Sequence, residues 1–159
     1  MKRLVLGCVL LTQAVHAEDL NPLLQRLVTC QDSWQDLGSD QARIKRFVDA
    51  LDAQFVRDDK KRLHVPRKDV TYLGFPVFEM TPESVGMGVG FGVTVKAPFD
   101  TVRKSFEKAL GKTLKDCDAS DGMKFCGLEI GPKRTVMMIG PATKPEQGTL
   151  IGCYYEYQK

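Results

Sequence analysis

The chain has 159 residues with 23 Lys and Arg against 20 Asp and Glu, a formal net charge of +3. Removing Lys2 and Arg3 with the N-terminal segment brings that charge to +1, too balanced for a dedicated nucleic-acid binder. No apolar run is long enough to cross a membrane as a helix, so no transmembrane segment is expected.

The first seventeen residues, MKRLVLGCVLLTQAVHA, have a basic start, a short apolar stretch and the small-x-small ending Val15-His16-Ala17. This pattern predicts a secretory signal peptide cleaved after Ala17, hence a periplasmic or secreted protein. The alternative, a lipoprotein signal ending at Cys8, leaves almost no apolar core before the cysteine. Residues 18–159 are then one domain, divided into a helical hairpin (18–56), a basic polar link (57–69) and an α+β portion (70–159).

Asn21-Pro22 is a helix-start pair, and Leu23, Leu27, Cys30, Trp34 and Leu37 recur at helical spacing up to Gly38. Ser39 or Asp40 caps a second helix carrying Ile44, Phe47, Val48, Leu51 and Phe55 on one face, which completes an αα-hairpin. RDDKKRLHVPRKD (57–69) interrupts the periodicity. VTYLGFPVFEM (70–80) reads as a strand bent near Gly74 and Pro76. GMGVGFGVTVKA (86–97) alternates strictly, with Met87, Val89, Phe91, Val93 and Val95 on one side and Gly86, Gly88, Gly90 and Gly92 on the other. FDTVRKSFEKALG (99–111) is a third helix, with Val102, Phe106 and Leu110 inward. Three further strands follow, the last with Ile151, Cys153, Tyr155 and Tyr157 on one face. The expected fold is α+β: the αα-hairpin, then ββ-α-βββ in a mostly antiparallel sheet with helices on one face.

Cysteine usage fits export. Without Cys8, four cysteines remain, enough for two disulfides. Asp121-Gly122 is a favoured two-residue hairpin turn, and counting outward from it sets Cys117 opposite Cys126 in a non-hydrogen-bonded pair, within disulfide range. Elimination pairs Cys30 with Cys153. Zinc is disfavoured, because residues 18–159 contain no CxxC and only one histidine, His64.

The sequence carries no nucleophile elbow, phosphate-binding loop or dinucleotide fingerprint, and it implies no catalytic residue, metal or cofactor. Two features invite a binding role. The first is a basic segment in which Lys60, Lys61, Arg62, His64, Arg67 and Lys68 suit an acidic partner, most naturally a protein, with Tyr154 as an interface aromatic. Its plain alternative is a solvated linker. The second is the glycine-faced strand, which either receives a closely packed helix or neighbouring strand, or floors a shallow ligand groove. The expected function is a small exported non-catalytic protein-binding module, such as an inhibitor or a toxin-immunity protein. An envelope carrier of a small apolar ligand is the alternative, and an enzyme with an unrecognised site ranks third.

Overall fold

The computed structural model describes residues 20–82, 84–85, 88–142 and 148–155. The segment read as a signal peptide, Gly86 and Tyr157 lie outside them. The described chain is α+β, with four helices and one mostly antiparallel sheet.

Helix α1 (Leu20–Val28) buries Leu20, Leu24, Leu27 and Val28, the stripe its spacing predicts. It stops earlier than Gly38. Cys30 adopts a positive φ of 58°, and Gln31 N and Asp32 N both fold back to Arg26 O. A short helix α2 (Trp34–Gly38) starts afresh, because Ser33 and Asp36 form a reciprocal capping box. The N–H of Ser33 donates to the Asp36 carboxylate at 2.9 Å, and the N–H of Asp36 donates to the Ser33 hydroxyl at 3.0 Å. Asp40 then caps α3 (Gln41–Gln54) by accepting from Ala42 N and Arg43 N. Phe47 and Leu51 are buried on α3 as expected, whereas Val48 is 42% exposed and Phe55 belongs to the first strand.

The expected polar link is a hairpin instead. Strands β1 (Phe55–Asp58) and β2 (Leu63–Pro66) pair antiparallel, with Val56 opposite Val65 and Arg57 opposite His64. The Asp58 carboxylate accepts from Lys60 N and Lys61 N and so shapes the turn, which Arg62 completes at a φ of 55°. The expected bent strand is likewise a hairpin, β3 (Thr71–Tyr72) and β4 (Phe75–Thr81), reversed at Leu73-Gly74 with both residues at positive φ. Strands β5 (Ser84–Val85) and β6 (Gly88–Val95) follow, and then α4 (Phe99–Leu110), ended by Gly111 in the left-handed region. Strands β7 (Lys115–Ser120) and β8 (Met123–Gly131) turn at Asp121-Gly122, where both φ values are positive. Strands β9 (Arg134–Pro141) and β10 (Thr149–Tyr155) complete the sheet, so that among the described residues six strands precede α4 and four follow it, in place of the two and three of the expected ββ-α-βββ order.

The strand order is β1-β2-β4-β6-β10-β9-β8-β7, with β3 on β4 and β5 on β6. The last strand is therefore central, between β6 and β9. One face collects the apolar alternation: Phe91, Cys153 and Val136 lie in register across three strands, and Val93, Ile151 and Met138 form the next row, all fully buried. The helices pack on this face. Phe47 of α3 meets Phe91 edge to face at 6.0 Å, and the space above Gly140 is filled by Phe99 of α4.

Two disulfides brace the body, Cys30–Cys153 and Cys117–Cys126. The first spans 123 residues and fixes the α1–α2 connection to the central strand. Loop-closure entropy makes it worth up to about 5 kcal/mol, against about 2.6 kcal/mol for the nine-residue separation of the second. A polar network reinforces the first bond. Asp32, buried, accepts two bonds from the Arg26 guanidinium, at 2.7 and 2.8 Å, and another from Arg43. The Tyr155 hydroxyl donates to Asp32 O at 3.0 Å, and Arg134 reaches Cys30 O and the Asp36 carboxylate. Burial pushes the Tyr155 phenol up to about 12. The Arg26 bonds, helped by Arg43 against the cost of burial, hold the Asp32 carboxyl below its usual range. Ser33 does the same for Asp36, with a further contribution from Arg134.

Two tests follow from this packing. A Cβ at Gly140 would lie 2.9 Å from the Thr149 hydroxyl and 3.1 Å from Phe99, so Gly140→Ala should cost about 1–3 kcal/mol. At Gly127 the nearest atoms are at 3.5 Å, and Gly127→Ala should be neutral or stabilising by about 0.5 kcal/mol; urea unfolding of both variants measures the contrast. The lowered carboxyls of Asp32 and Asp36 contribute stability that is fully present above about pH 4 and is lost as pH falls through their folded values. Asp32→Asn should cost about 2–3 kcal/mol at pH 6 and flatten the loss of stability between pH 4 and 2, read from urea midpoints across that range.

Candidate functional site

The other face of the sheet has no described helix on it. Strand alternation and register place three rows of side chains there. In the first row, Thr81, Gly92, Gly152, Met137 and Gly127 lie side by side across β4, β6, β10, β9 and β8. On one side of it runs the row Glu79, Thr94, Leu150, Ile139 and Phe125, and on the other the row Gly90, Tyr154, Thr135 and Glu129. The first row is the glycine trough: Gly92, Gly152 and Gly127 carry no side chains and are themselves buried, and the Phe125 ring lies 3.5 Å from where a Cβ on Gly127 would stand. Its walls are half-buried: Leu150, Ile139 and Tyr154 keep part of their surface in solvent, and Phe125 is 36% exposed.

The glycine-faced strand thus has its glycines on the side away from the packed helices. The close approach of a helix to bare backbone does occur, but at Gly140 on the opposite face. Gly90 and Gly92 belong to the rows above, and Gly88 pairs with Val85 of β5. What the sequence did not show is that Gly152 and Gly127 extend the trough. Their alignment with Gly92 depends on β10 being inserted between β6 and β9, which no local pattern announces.

The apolar surface continues toward β1. Val56 and Val65, cross-strand partners, are 46% and 40% exposed, and Phe78 is 43% exposed beneath the Lys96 ammonium at 5.4 Å. Phe78 stands at a bulge in β4, between Val77 and Glu79. Burial raises the Glu79 carboxyl above its usual range, against the opposing influence of Lys61 and a bond with Thr94.

The basic segment divides by role. Lys60, Lys61 and Arg62 form the exposed tip of the β1–β2 hairpin, and Lys68 is exposed just beyond it. Among the described residues none of these four forms an ion pair, whereas Arg57 pairs with Asp59 at 2.7 Å. Arg67 is structural. Its side chain donates to Asp52 O and Phe55 O, and its N–H to Gln54 O, closing the end of α3. His64 points the other way. It is 8% exposed, in register with Met80 on the helix side, so it is not part of the basic surface. Tyr154 does lie on the candidate face, but three strand positions from β2, about 14 Å.

No cluster of three or more His, Cys, Asp or Glu able to hold a metal occurs among the described residues. The hairpin carboxylates Asp116, Asp118 and Asp121 are exposed. No known family, curated protein or solved structure matches the chain.

Charge reversal at Lys60, Lys61 and Arg62 should shift folding stability by less than about 0.5 kcal/mol per residue, because these side chains contact solvent. Arg67→Ala should cost about 1–2 kcal/mol by leaving two carbonyls at the end of α3 without their donor. Thermal and urea unfolding of the two variants separates the surface cations from the structural one.

Proposed function

We propose that this chain is a small exported, non-catalytic protein-binding module, of the kind that includes inhibitors and toxin-immunity proteins, and that its partner seats on the glycine-troughed face. The observation that carries the reading is the distribution of apolar side chains. The helices pack on one face of the sheet, yet Leu150, Ile139, Met137, Phe125 and Tyr154 stand on the other around a row of glycines. Rigid aromatic and aliphatic walls beside bare backbone can bury area at low entropic cost when a second surface fits between them. The cationic hairpin tip adjoins the same face at β1–β2 and favours an acidic partner by steering its approach. Two disulfides are consistent with an oxidising extracellular compartment, and among the described residues no helix is long and apolar enough to cross a membrane.

A carrier role for a small apolar ligand is the second reading, favoured by the same glycine row. Native mass spectrometry of the purified protein separates the two, since a carrier retains a ligand of defined mass.

A photo-crosslinking residue at Phe125 or Tyr154 should capture the partner, while one at Lys104, exposed on α4, should not. Phe125→Ser, at a ring that is 36% exposed, should weaken binding at least about tenfold, whereas Leu150→Glu, at a half-buried central-strand position, should also lower the melting temperature. Reversal of Lys60, Lys61 and Arg62 should slow association and flatten its salt dependence, because exposed charges act through screened long-range steering over about 8–10 Å. Capture from Lys104 with none from Phe125 or Tyr154 would remove the proposed face from consideration.

A further inference from the structure

The two disulfides differ in accessibility. Cys30 and Cys153 are 2% and 0% exposed, enclosed between the α1–α2 connection and the central strand. Cys117 is exposed on β7, an edge strand on which every residue is exposed, while its partner Cys126 is 1% exposed on β8. Cys117 and Cys126 also border a cleft of about 360 Å³ walled by Phe99, Asp100 and Arg103 of α4 and by Lys124. Two cations and two carboxylates line it, Arg103 and Lys124 against Asp100 and Asp118, so the cleft does not repel an approaching thiolate by net charge.

Thiol–disulfide exchange needs an attacking thiolate to reach one sulfur while the other departs. Among the described cysteines only Cys117 combines exposure with an adjoining space for the attacker. The thiolate released at Cys126 would form on the wall of the same cleft, where Arg103 is paired with Glu107 and Lys124 with Asp100.

We propose that Cys117–Cys126 is a modification site for low-molecular-weight thiols, with Cys117 the sulfur attacked. A thiolate R–S⁻ bonds to Sγ of Cys117. The electron pair of the Sγ117–Sγ126 bond leaves on Cys126, which takes a proton from water. One disulfide replaces another, with no net oxidation. A second thiol can then attack the adduct, releasing R–S–S–R and the Cys117 thiol, so that two thiols supply the two electrons for full reduction. The structural consequence falls on β7. It pairs with β8 alone, and a register shift between Lys115 and Asp118 already interrupts that pairing. Exchange therefore loosens the edge strand and leaves Cys30–Cys153 in place.

The test uses the folded protein and reduced glutathione over a range of concentrations, followed by acid quenching, alkylation and peptide mapping. The expected product carries glutathione on Cys117 and an alkyl group on Cys126, formed at least roughly tenfold faster than Cys30–Cys153 opens. Amide exchange in β7 should accelerate in that product. Simultaneous opening of both bonds, an adduct on Cys126, or no reaction until denaturant is added would overturn the proposal. A second measurement isolates the sulfurs. In folded Cys126→Ser the single thiol at Cys117 should take up a maleimide at least roughly tenfold faster than Cys126 does in Cys117→Ser, and equal rates would likewise overturn it.

Discussion

The bond between Cys30 and Cys153 fixes the one place where the helical layer and the sheet must meet in a set geometry. Cys30 sits at a positive φ in the turn after α1, and Cys153 lies in the middle of the most central strand. Around the bond the chain has gathered polar groups that could not be buried singly. Asp32 takes the Arg26 and Arg43 guanidinium groups, while Tyr155 and Arg134 reach across from the sheet to the same turn. A buried carboxylate is tolerable only with such donors. The network therefore needs the turn held in place, and the disulfide holds it.

This anchoring explains the asymmetry of the two sheet faces. Once the connection at residues 29–33 is pinned over β10, α1 and α3 cover Phe91, Val93 and Ile151, and α4 covers the far side of the same face at Gly140. The apolar side chains on the opposite face have no helix among the described residues to cover them. Leu150, Ile139, Met137 and Tyr154 are nonetheless half-buried, and the glycines between them are buried.

How much of this could be read from residues alone depended on how local the deciding physics is. Helix α4, its Gly111 stop, the Asp121-Gly122 turn and the alternation of β6 rest on contacts between near neighbours, and they are where the pattern puts them. The early end of α1 was legible too, in the Ser33-Trp34-Gln35-Asp36 capping box, but the hydrophobic spacing running through it to Leu37 was the louder signal. The β1–β2 hairpin was hidden by charge: a short edge strand with one solvated side looks like a linker, because only Phe55, Leu63 and His64 turn inward. The trough was legible only by half. Gly90 and Gly92 announce it, while Gly152 and Gly127 join it through a strand order that no local propensity encodes.

That strand order also governs when the molecule can come into being. Strand β10, residues 149–155, is the seam between two halves of the sheet, β1 to β6 on one side and β7 to β9 on the other. During synthesis, everything up to β9 emerges before its seam does. Until then β6 and β9 each present an unpaired edge, and Cys30 has no partner. Pairings so distant in sequence make for slow closure. The Cys30–Cys153 bond, and the joining of the two halves of the sheet, therefore wait for the last strand to arrive.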